Sequence, residues 1–132
     1  MTFVDSNIPM YLVGAEHPNK ARARRLLERA VAEERPLATS VEVFQEILHR
    51  YVAIQRLEAI GPAFDLLETS VDRVLDIEKP DINKARELLM EVEGLSARDA
   101  LHASVMARAG IQEILSLDAG FDQIDWIVRI SD

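Results

Sequence analysis

Short apolar runs alternate with amphipathic stretches along this chain. Residues 2–4 are apolar, mostly β-branched and end at Asp5, which suits a buried strand. Asp5, Ser6 and Asn7 are helix-capping types and Pro9 fits a first helical turn, so a short helix through Tyr11 and Leu12 follows, ending by Gly14. Over 20–34, Ala23, Leu26, Leu27, Ala30 and Val31 recur at helical spacing until Pro36 stops them. A brief strand is expected at 37–39. Ser40 then opens a helix to about Arg56, with Val41, Phe44, Leu48, Tyr51 and Val52 inward and Glu42, Glu46, His49 and Arg50 on another side. Gly61-Pro62 reads as a break before a short helix over 62–71, with Phe64, Leu67 and Val71 inward.

A strand at 74–77 precedes a helix capped by Asp81, with Ile82, Ala85, Leu88, Leu89 and Val92 inward and Gly94 as its end. An alanine-rich helix over 97–109 stops at Gly110. A strand at 113–117, a turn at 118–120 and a last strand at 126–130 complete the chain. Strands alternate with helices, which argues for an α/β protein whose mainly parallel sheet is covered on both faces. No repeat, linker or low-complexity tract interrupts it, so residues 1–132 are expected to form a single domain.

Composition narrows the classes. Apolar residues make up 48% of the chain, which excludes a disordered protein. The absence of a membrane-length apolar run, a secretory signal and any cysteine fits a cytoplasmic protein. The net charge of −8 speaks against a general nucleic-acid coat protein. Yet residues 17–35 hold six of the fifteen basic residues, Lys20, Arg22, Arg24, Arg25, Arg29 and Arg35. The simplest account is a solvated helix face with ion pairs one turn apart.

Four acids have placements that converge if the strands are parallel. Asp5 and Asp118 end strands on the carboxyl edge, where open α/β sheets bind ligands. Glu46 lies about two turns into its helix, and Asp99 in the first turn of its own. Each has a local explanation: Asp5 as a cap, Glu46 as a partner of Arg50, Asp99 as part of a capping box with Ser96, Asp118 as a turn residue. Together they have a cost, since crowded like charges do not all ionise cheaply. A divalent cation removes it. Magnesium and manganese prefer oxygen ligands, and with phosphate as substrate such a site suggests water activation and stabilisation of the leaving oxygen.

The motifs FVDSNIPMYL, TSVEVFQEIL, SARDALHASVMARAG and ILSLDAGFD, in that order, resemble a PIN domain, and more narrowly the VapC-type toxin ribonucleases. The resemblance runs over nearly the whole chain. It implies a three-layer α/β/α fold with a central sheet of about five strands, and metal-dependent endoribonuclease activity with one or two Mg²⁺ or Mn²⁺ ions. By matching position it implies Asp5, Glu46, Asp99 and Asp118 as catalytic and metal-binding residues, Asp122 as an auxiliary ligand, and Asn7 and Ser116 as supporting groups. His102 reads as helix packing or a group behind the ligands rather than a catalytic base. The resemblance also implies a homodimer and a VapB-type antitoxin partner. Lys20, Arg22, Arg25 and Arg29 become expected RNA contacts.

Two other readings fit parts of the chain. A phosphatase of the haloacid dehalogenase type uses an aspartate after the first strand, but wants a second Asp two residues on, where this chain has Asn7. A non-catalytic domain, receiver-like or a PIN fold that only binds partners, is the other. A receiver needs a lysine after its last core strand, and no lysine follows Ile114; a degenerate PIN fold would have lost the acids.

Overall fold

The structure, a computed structural model, describes residues 1–130; the last two positions of the expected domain, 131 and 132, lie outside the described residues. The elements run β1 (Thr2–Val4), α1 (Asn7–Val13), α2 (Pro18–Ala32), β2 (Leu37–Ser40), α3 (Val41–Ala53), α4 (Ile60–Ser70), β3 (Arg73–Leu75), α5 (Lys79–Glu91), α6 (Ala97–Ala109), β4 (Glu113–Leu115) and β5 (Val128–Ile130), with short 3₁₀ helices at Leu57–Ala59 and Ala119–Gln123. All described strands are parallel, in the order β3-β2-β1-β4-β5. Even the short connection to β5, built around the second 3₁₀ helix, carries the chain back to a parallel strand.

β1 lies at the centre, with Phe3 opposite Ala38 of β2 and Ile114 of β4. Its residues are buried on both faces, as expected of a covered parallel strand. On one face Val4 meets Ile8, Leu27 and Leu67, from α1, α2 and α4. On the other, Phe3 packs on the His102 ring of α6, centroids 5.5 Å apart. α3 reaches both layers: Phe44 stands edge-on to Phe64 of α4, and Glu46 bonds His102 of α6. The crossovers from β1 move outward through β2 to β3, then return to β4 on the opposite side of β1. The order therefore reverses between β1 and β4, and a crevice opens at their carboxyl ends.

Several local expectations are corrected. The buried face of α3 is Val43, Glu46, Ile47 and Tyr51, while Val41, Leu48 and Val52 are exposed. Gly61-Pro62 is no break: both sit in the first turn of α4, where a proline costs no helical hydrogen bond. Asp81 is not the cap of α5. Glu78 is, and Asp81 completes a capping box from the third helical position. Asp81 is buried, and Arg108 of α6 donates to it at 2.8 Å, clamping the two helices together. α2 begins at Pro18 rather than at residue 20, and His17 caps it by accepting from the Asn19 amide. Ile82 and Leu89 are exposed, and the last strand begins at Val128. Gly110 does end α6 in the left-handed conformation, at φ 73°. No helix among the described residues is long and apolar enough to cross a membrane.

Candidate active site

The crevice between β1 and β4 begins with Asp5, the residue after β1. Its backbone N–H donates to Leu115 O at 3.1 Å, extending the β1–β4 pairing by one residue. The Asp5 carboxylate is almost fully buried and held from both sides. Oδ1 accepts from the Ser6 amide at 2.7 Å, and Oδ2 from the Ser116 hydroxyl at 2.6 Å and Asn7 Nδ2 at 3.1 Å. Asn7 also donates to Ser116 Oγ and accepts from the Leu117 amide, and Ser116 Oγ accepts from the Asp118 amide. One short web thus ties the ends of β1 and β4 and fixes Asp5 between them.

Glu46 and His102 form a buried pair beneath it. Ser6 Oγ donates to Glu46 Oε2 at 2.6 Å, and His102 Nε2 lies 2.7 Å from Glu46 Oε1 and 3.8 Å from Asp5 Oδ1. Burial pushes the Glu46 carboxyl up, but the His102 hydrogen bond and charge and the Ser6 hydroxyl outweigh it and hold the group below its ordinary value. Burial pushes His102 down; the Glu46 hydrogen bond and the negative charges of Asp5, Glu46 and Asp99 carry it above its ordinary value. Asp5 is raised, chiefly by burial.

Asp99 and Asp118 face each other at the mouth. Ser96 caps α6 by accepting from the Asp99 amide, which leaves the Asp99 carboxylate to face the cleft. Asp118 accepts from the Gly120 amide at 2.8 Å, and a Cβ on Gly120 would stand 3.0 Å from Asp118 Oδ1 and 3.1 Å from Asp99 Oδ2. The absence of a side chain at Gly120 is what lets the two acids approach. Burial, then the charges of Asp118 and Asp5, push Asp99 up to about 7. The cleft holds about 260 Å³, lined by Asp5, Glu46, Asp99 and Asp118 together with Arg50 and Arg98.

This oxygen-rich cluster suits a hard divalent cation. A carboxyl that burial, and then its acidic neighbours, push up to about 7 sits among negative charge that a cation would relieve. Donor atoms of Asp5, Glu46 and His102 also lie within 4.8 Å of one another. There the tautomer decides. His102 Nδ1 is buried without a hydrogen-bond partner among the described residues. In the neutral ring a proton on Nδ1 would be stranded, whereas one on Nε2 is accepted by Glu46; neutral or protonated, His102 is a donor on the Glu46 side with no lone pair to offer there. Asp5 also lines the cleft with Asp99 and Asp118.

The other expected site residues fall elsewhere. Asp122 is exposed and gives both carboxylate oxygens to Arg129, at 2.9 Å each, and it does not line the cleft. Lys20, Arg22, Arg25 and Arg29 lie on α2 and do not line it either. Lys20 reaches Gly14 O, Arg22 reaches Asn19, and Arg29 lies 3.9 Å from Glu33. Sequence reasoning missed Arg50 and Arg98 as the cations at the cleft, and Ser6 as the link between Asp5 and Glu46. The only sequence signal was adjacency: Arg98 precedes Asp99, and Arg50 lies one turn after Glu46.

A parallel sheet in this order with acids gathered at its point of reversal defines a PIN-type fold, and the PIN domain family model matches residues 2–127. The chain belongs to the PIN-domain family. Within it, the chain is a VapC ribonuclease, of the toxin side of VapBC systems. Ribonuclease VapC13 of Mycobacterium tuberculosis is 55% identical over 131 residues, covering 99% of this chain and 100% of the relative. Ribonuclease VapC23 of the same species is 36% identical over 118 residues, covering 89% and 93%. The crystal structure of M. tuberculosis VapC20, a sarcin-ricin loop cleaving toxin, superposes with a TM-score of 0.80 at 26% identity over the full length of both chains. VapBC2 from Rickettsia felis, bound to a DNA fragment from its promoter, shares the fold at TM-score 0.74 and 16% identity, covering 98% and 96%.

Proposed function

We propose that Asp5, Asp99 and Asp118 hold one or two Mg²⁺ or Mn²⁺ ions and that the cleft hydrolyses RNA phosphodiester bonds endonucleolytically. The observation that carries this is the convergence of acids from β1, α3, α6 and the end of β4 on one cleft flanked by two arginines. When bound, the cation supplies Lewis-acid stabilisation of the phosphate and a water activated near neutral pH. The protein's part is placement. Ser116, Asn7 and the Ser6 amide fix the Asp5 oxygens. Glu46 holds negative charge behind them and orients Ser6 and His102. Arg50 and Arg98 line the cleft, make no ion pair within 4 Å among the described residues, and would hold phosphates flanking the cut.

The phosphatase reading is weaker, because Asn7 stands where that chemistry needs a second acid. We further propose a cytoplasmic homodimer neutralised by a VapB-type antitoxin. The solved complexes with this fold, including a toxin–antitoxin complex from Klebsiella pneumoniae, support the partner. The test is cleavage of a mixed structured RNA pool by antitoxin-free protein with Mg²⁺, Mn²⁺ or EDTA, beside Asp5→Asn and Asp99→Asn. Metal-dependent cleavage lost in both variants is expected. Cleavage in EDTA, or by a variant at the unaltered rate, would overturn the assignment.

A further inference from the structure

A second cavity of about 340 Å³ adjoins the acidic cleft, and the two share Asn7, Met10 and Arg50. We propose that this cavity receives a nucleobase of the RNA next to the scissile phosphate, with Arg50 holding the intervening backbone; the proposal rests on the ribonuclease reading above.

The lining suits a base. Tyr11 and His17 place their rings 5.1 Å apart at 36°, forming an aromatic wall. The His17 ring is exposed, yet its position is fixed because Nδ1 accepts the Asn19 amide at 3.0 Å as the cap of α2. A preset aromatic surface loses little freedom when a base stacks on it. Tyr51 is buried behind the cavity, its hydroxyl donating to Met10 O at 3.4 Å. An apolar hollow with a few polar groups at fixed places is the usual form of a small-ligand site.

Charge sets the occupant and its direction. The chain carries a net charge of −8, so an arginine with no ion pair among the described residues stands out where the cavity meets four carboxylates. A base in the cavity and a phosphate at the carboxylates would be joined by backbone passing Arg50. Single-stranded RNA offers that combination of unstacked base and flanking phosphate. An apolar partner helix would instead need a long row of apolar anchors, without an arginine at the junction.

The test separates this site from the nuclease reading. In EDTA, isotope-labelled protein is titrated with each of the four nucleoside 5′-monophosphates and followed by NMR. Saturable shifts centred on Tyr11, His17 and Tyr51 are expected. His17→Asn keeps a capping acceptor but removes the ring, and should weaken binding roughly five- to tenfold. Ala15→Trp, which fills the exposed mouth, should abolish it. With Mg²⁺, the unaltered protein should cut a randomised single-stranded RNA with a base preference at one position beside the cut. In His17→Asn that preference should flatten, with KM rising more than kcat falls. No saturable shift at these residues, or equal binding in both variants, would overturn the base site and leave a protein segment as the candidate occupant. Absence of cleavage by the unaltered protein would instead count against the nuclease reading, while the EDTA titration would still decide the cavity.

Discussion

Asp99 sits where burial meets the charges of Asp118 and Asp5, and its pKa near 7 makes the metal-free protein pH-sensitive. In the unfolded chain this carboxyl loses its proton near its ordinary value of 3.8. Between those values the folded state holds more protons, so stability falls as pH rises. Raised His102 acts in the same direction: its contribution is full below its ordinary 6.5 and is lost as pH climbs through the raised value. In EDTA, the unfolding midpoint should therefore decline from about pH 4 to about pH 7, and Asp99→Asn should flatten that decline. Mg²⁺ should reverse it, because binding needs the carboxylate and gains as pH rises. Denaturant melts across pH, with and without Mg²⁺, check both signs. Ser116 bears on the same cluster through its bond to Asp5. Ser116→Ala should weaken Mg²⁺ binding by about 10- to 100-fold, read by calorimetry. At this scale the acids were legible in the sequence, because strand ends and a helix first turn are local features. Arg50 and Arg98 were not, since nothing local distinguishes an arginine beside a cleft from one in solvent.

α3 shows where the element scale misleads. Its buried face includes Glu46, and an amphipathic pattern that treats every acid as solvent-facing rotates the helix toward Val41, Leu48 and Val52. A carboxylate sunk for function violates the rule by which helix faces are read. Asp81 misled differently: Pro80 and Lys79 start α5 earlier than its acid suggests. The boundaries of α6 were legible because Ser96 caps its start and left-handed Gly110 ends it, whereas Ser6 before α1 makes no capping bond and gives its hydroxyl to Glu46 instead. The turn after β4 offers a test at this scale. Gly120→Ala would press a methyl against Asp118 and Asp99. RNA cleavage should fall at least about tenfold, while stability moves by no more than about 1 kcal/mol. Equal losses of folding and activity would show that the glycine serves the turn rather than the acids.

For the whole molecule, the question is how an acidic protein holds a polyanion. If Arg98 contacts phosphate, Arg98→Gln should reduce the slope of log binding constant against log salt by about one. Reversing Arg22 and Arg25 to Glu on α2 is the contrasting measurement: a comparable fall would extend the RNA path along that helix, and no change would confine it to the cleft. The parallel order was legible from alternating elements, but the reversal beside β1 was not, since periodicity does not say which side a returning strand takes.

That reversal has a consequence in time. Asp5 is made 111 residues before Ser116, whose hydroxyl fixes it together with Leu115 O. A nascent chain still awaiting its final strands therefore carries three of the four acids without the edge that gathers them. Translation must therefore pass Ser116 before the contacts that hold Asp5 in place exist, and the four acids are gathered only once β4 has been made.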